Sequence, residues 1–96
     1  MRDLKSKRYV KWRDAVFKKN NYTCQKCEAK RNLEAHHIFS WVDNEYYRFN
    51  IEAGITLCQV CHKRFHKRYG SGGNTKKQIE EFLGVYLGEF TKPLFG

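Results

Sequence analysis

NIEAGITLCQVCHKRFH, residues 50–66, decides how the chain is read. Gly54 punctuates it, and Ile55-Thr56-Leu57 then suits a short strand. From residue 59 to about 69 the sequence suits a helix, with Val60, Phe65 and Tyr69 as apolar contacts. Cys58, Cys61, His62 and His66 fall across this strand-to-helix junction within nine residues. Either all four hold one metal or they belong to two sites. A finger with two Cys and two His needs a long spacer between its pairs. His62 directly follows Cys61, and adjacent residues at a helix start project in different directions. The four side chains are therefore read as two pairs.

The cysteine pair has a counterpart upstream. CQKC at residues 24–27 repeats the C-x2-C spacing, and thirty residues separate the two pairs. Two such knuckles, Cys24/Cys27 and Cys58/Cys61, complete a tetrahedral shell of four sulfurs around zinc, which is a closed, structural site. The rivals are disulfides, a redox C-x-x-C and buried free thiols. Disulfides are disfavoured in a chain without a secretion signal, and MRDLKSKRYV at residues 1–10 lacks the apolar stretch of one. A redox motif explains one pair, not two. One structural Zn2+ per chain is the expectation.

The histidines also come in pairs. His62 and His66 are i, i+4 on the expected helix and can grip one ion. Taken alone they read better as two exposed helix histidines in a basic protein. His36-His37 holds the other two histidines of the chain, on a short expected strand at residues 33–39. Three imidazoles leave open positions on an ion, and a fourth can act as a base near neutrality. Neighbours in a regular strand point to opposite faces, so His36 and His37 meet one substrate only where the strand ends or is irregular.

Elsewhere, residues 6–20 carry Tyr9, Trp12 and Val16 on one helical face, and Asn20-Asn21 breaks the pattern. Asp43-Asn44 signals a loop and residues 70–73 a flexible turn. Thr75 with Gln78 forms a capping-box pattern. It opens a helix at about 75–88 with Ile79, Phe82, Leu83 and Tyr86 on one face, Gly84 weakening it. Pro93 marks the tail. Ninety-six residues make a single domain. So small a core often needs a metal or disulfide staple. No segment approaches the roughly 18 apolar residues of a membrane span. The chain is read as intracellular, with no membrane partner. Nineteen Lys and Arg against 10 Asp and Glu give +9. This surface favours nucleic acid as partner through phosphate neutralisation.

CQKC, LEAHHI and ITLCQVCHKRFH, in this order, resemble the HNH endonucleases, of the small single-domain kind commonly encoded by phages. The resemblance runs from about Trp12 to the helix after FHKRYG. It implies an α+β, ββα-metal fold: a β-hairpin plus helix, flanked by N- and C-terminal helices, with a four-cysteine structural zinc site and a nuclease core at about 22–70. It implies hydrolysis of double-stranded DNA, by nicking or double-strand cleavage, to 5′-phosphate and 3′-hydroxyl ends. The helix docks in the minor groove. By the same resemblance His37 is the general base. His36, His62 and His66 hold one catalytic divalent ion, Mg2+, Mn2+, Ni2+ or Zn2+.

The sequence departs from that family at one place. The family asparagine lies nine residues before the helix histidine, and here that position is Ala53. This implies reduced activity or an active-site variant, with Asn50 as a substitute or as a surface loop residue. Arg48, Lys63, Arg64, Lys67 and Arg68 are the candidate DNA contacts, the solvated charged face being their plainer reading. Lys18, Lys19, Lys30 and Arg31 surround the first knuckle. Two other functions fit the same residues: a zinc-stabilised DNA-binding module of weak or no activity, and an accessory scaffold for phage packaging proteins. A homodimer is a further candidate assembly.

Overall fold

The computed structural model describes residues 6–41 and 45–90, so Asp43-Asn44 and Pro93 lie outside the described residues. Helix α1 (Lys7–Lys19) opens on Ser6, whose hydroxyl oxygen accepts the Tyr9 N–H at 3.1 Å. That bond satisfies one of the donors a helix start leaves over. Tyr9, Trp12 and Val16 are its buried residues, the face their spacing predicts.

Strands β1 (Leu33–His37) and β2 (Gly54–Cys58) form an antiparallel hairpin, with Leu33 opposite Cys58 and His37 opposite Gly54. A two-stranded sheet is marginal alone. Here it is covered on both faces. Tyr9, Trp12 and Val16 of α1 pack with Ala35 on one side. On the other, Ile55 and Leu57 join Phe65 of α2 (Gln59–Tyr69) and Ile79 and Phe82 of α3 (Lys76–Leu83). Every residue of β2 is therefore buried, which is why its apolar run does not alternate. Gly54 allows the close approach of α1. A Cβ there would lie 2.4 Å from Val16 Cγ2 and 2.6 Å from Trp12 Cζ2. The first knuckle is zipped to β2, with the Gln25 N–H donating to the Thr56 carbonyl at 2.9 Å.

Three sequence expectations change. Strand β1 stops at His37 rather than Phe39: the Ile38 N–H still bonds the Ala53 carbonyl in register at 2.9 Å, but Ala53 belongs to the 3-10 turn Ile51–Ala53, so the partner strand has run out. Helix α3 ends at Leu83, not near 88. The capping box at Thr75 and Gln78 forms, but Gly84 adopts φ 72° and closes the helix from the left-handed region. Gly84 is thus a stop, and Tyr86 beyond it is exposed. Val60 does not pack; it lies 60% exposed on the first turn of α2. Among the described residues no helix is long and apolar enough to cross a membrane.

Candidate active site and metal centres

At the end of the hairpin where Leu33 meets Cys58, the two knuckles converge. Ligand atoms of Cys24, Cys27, Cys58 and Cys61 lie within 4.8 Å of one another, with Cys27 and Cys58 Sγ 3.6 Å apart. Thiolates on a tetrahedral zinc at about 2.3 Å stand roughly 3.8 Å apart, so the donor set fits that ion. None is in a disulfide. The N–H groups of Lys26 and Cys27 point at Cys24 Sγ at 3.4 and 3.5 Å, and the Cys61 N–H at Cys58 Sγ at 3.4 Å. Burial pushes the Cys24 thiol up, but backbone donors from Cys27, Cys58 and Lys26 outweigh it and bring the group to about 7. Burial, then the neighbouring thiols, push Cys61 well above the ordinary range. A dication shared by the four favours the thiolate in each.

The second cluster lies where α2 crosses the hairpin. His36 Nδ1 is 3.3 Å from His62 Nε2, and His66 Nε2 is 3.0 Å from the same atom. Imidazoles bound at about 2.1 Å stand roughly 3.0–3.4 Å apart in octahedral or tetrahedral shells. The outer nitrogens fix the tautomers. His62 Nδ1 lies 2.6 Å from Glu34 Oε1, and His66 Nδ1 lies 2.9 Å from the Gly70 carbonyl. Carboxylate and carbonyl oxygens only accept, so each Nδ1 carries the proton. In the neutral rings both Nε2 atoms then hold lone pairs 3.0 Å apart. Such a contact is repulsive unless a proton or a metal ion lies between them.

Strand alternation sorts the remaining groups. Glu34 and His36 face α2, whereas Ala35 and His37 face α1. His36 packs on Phe65, with ring centres 4.6 Å apart. His37 stacks on Trp12 at 4.0 Å and 8° and meets Trp41 edge-on at 5.2 Å. Its Nε2 donates to the Arg48 carbonyl at 2.9 Å. Both neighbours nonetheless line one cleft of about 280 Å³, with Trp41, His62, His66 and residues 71–74. They can do so because β1 ends at His37.

Ala53 is buried, 1% exposed, in the 3-10 turn Ile51–Ala53. Asn50 caps that turn, its Oδ1 accepting the Glu52 N–H at 2.9 Å. The Asn50 side chain is thus committed to the loop, and its carbonyl accepts Trp12 Nε1–H at 2.8 Å. Lys63, Arg64, Lys67 and Arg68 are exposed on α2. Arg68 pairs with Glu81 at 2.8 Å and lies over the Tyr69 ring. Arg48 sits beside the cleft, its Nε donating to the Trp41 carbonyl and its guanidinium over the Trp41 ring.

Sequence reasoning missed Glu34, the two tryptophans around His37 and the turn at 71–74. Glu34 had a signal: it stands two residues before His36 and therefore shares its strand face. Trp12 reads only as core, because its partner is remote in sequence.

A hairpin and the helix that follows it, bringing histidines from both to one cleft, define a ββα-metal unit, here with a cysteine cluster at the far end of the hairpin. Residues 24–68 match the family model of the HNH endonucleases, and the hairpin, both clusters and all but the last residue of α2 lie within that span. No curated protein and no solved structure matches the chain.

Proposed function

We propose that the chain, working as one nuclease domain, is a metal-dependent endonuclease that hydrolyses phosphodiester bonds of double-stranded DNA. The observation that carries this reading is the facing pair of His62 and His66 Nε2 atoms, each left with its lone pair by a committed Nδ1. His36, His62 and His66 would hold one divalent ion. When bound, that ion supplies positive charge beside the scissile phosphate and the leaving 3′ oxygen. His37 accepts the proton of the attacking water. Its Nε2 is protonated toward Arg48, so the lone pair of the neutral ring is on Nδ1. Glu34 holds His62 in the ligating tautomer. Lys63, Arg64 and Lys67 on the exposed side of α2, with Arg48 by the cleft, meet phosphates and position the duplex. The cysteine cluster holds a structural zinc.

Supercoiled plasmid incubated with Mg2+, Mn2+ or Ni2+ is expected to be nicked, and EDTA to abolish it. His37→Ala should lower the rate by about 10²–10⁴-fold and leave DNA binding intact. A second reading, a zinc-stabilised DNA-binding module, draws on Ala53, whose side chain can make no hydrogen bond. Binding without cleavage under every metal tried would establish that reading instead.

A further inference from the structure

The Ala53 side chain cannot orient an imidazole, so whatever holds His37 comes from elsewhere. We infer that Trp12 is a positioning residue for His37, and that residues 48–50 clamp both rings together. This deepens the nuclease reading and rests on it. The indole lies parallel to the imidazole, 8° between planes and 4.0 Å between centres. Its own rotation is fixed by the hydrogen bond from Nε1 to the Asn50 carbonyl at 2.8 Å. Two residues earlier in the same segment, the Arg48 carbonyl takes His37 Nε2–H at 2.9 Å. One short loop thus fixes the imidazole by its edge and, through Trp12, by its face.

Neighbouring elements are shaped to the same end. Gly54 is the register partner of His37, and a Cβ there would meet Trp12 Cζ2 at 2.6 Å. The missing side chain lets the indole lie flat against the hairpin at the level of His37. The Asn50 side chain caps the 3-10 turn that follows, which steadies the carbonyl that Trp12 uses. Trp41 closes the imidazole edge at 78° and is itself tied to Arg48, which donates from Nε to its carbonyl at 2.6 Å. A ring so enclosed has one orientation toward the cleft rather than several.

The test uses the full zinc-loaded chain. Histidine-labelled NMR should show the His37 ring protons shifted upfield by the indole and a single Nε2-protonated tautomer. Trp12→Leu should lose the upfield shift and lower kcat by about 100-fold, with KM and zinc content unchanged. Trp12→Phe keeps a stacking face without the N–H, so it should retain part of the shift and stay within about tenfold of the parent kcat. Where Trp12→Leu does not fold, the parent spectrum and Trp12→Phe decide. An ordinary His37 shift in the parent chain, or a folded Trp12→Leu that cuts at the parent kcat, would overturn the inference. The upfield signature in a chain that cleaves no DNA would support the clamp and overturn the nuclease reading.

Discussion

The cysteine cluster and the histidine cluster share one hairpin and one helix, yet they are finished in opposite ways. The first offers four donors, three of them buried, with backbone N–H groups turned toward sulfur. Those donors stabilise thiolate charge, and four protein ligands close a zinc shell. The second offers three donors at the wall of a cleft, backed by a carboxylate and a carbonyl that fix tautomers rather than neutralise charge. Three ligands leave positions for water or phosphate. On the proposed reading, a short hairpin separates a site that holds the fold from one that admits a substrate.

Breaking the closed site should have the largest effect. Cys24→Ser should release zinc and cost on the order of 10 kcal/mol of folding free energy, seen as loss of a cooperative melt together with the metal. A chain that stays folded and zinc-free would remove the structural half of the comparison. Changing the support of the open site should do less. Glu34→Gln should weaken the second ion about 10–100-fold in a competition titration, with the bound zinc unchanged. Equal affinity would mean that the 2.6 Å contact does not set the tautomer of His62. The smallest effect belongs to Ala53→Asn, which should raise the nicking rate by less than about tenfold, because residues 48–50 already grip His37. A rise of roughly 100-fold would show a loosely held base.

Much of this was legible in the sequence where a local rule governs. The C-x2-C pairs, the i, i+4 histidines and the 59–69 helix depend on spacing alone, and the structure brings those side chains together. The far end of α3 was not, because Gly84 costs a helix interior about as plausibly as it ends one; only its φ of 72° decides. Val60 was misread since one apolar residue in a first turn has no periodicity to place it. The surroundings of His37 were invisible for a different reason. Trp12, Trp41 and the Arg48 carbonyl reach it from three separate segments, and no spacing rule connects them.

The most direct test counts metals and nicks on His62→Ala. The chain should stay folded, keep one zinc per molecule, lose the second divalent ion and stop nicking supercoiled plasmid. Nicking at the parent rate, or loss of the zinc along with the second ion, would contradict the assignment of the two clusters to separate tasks.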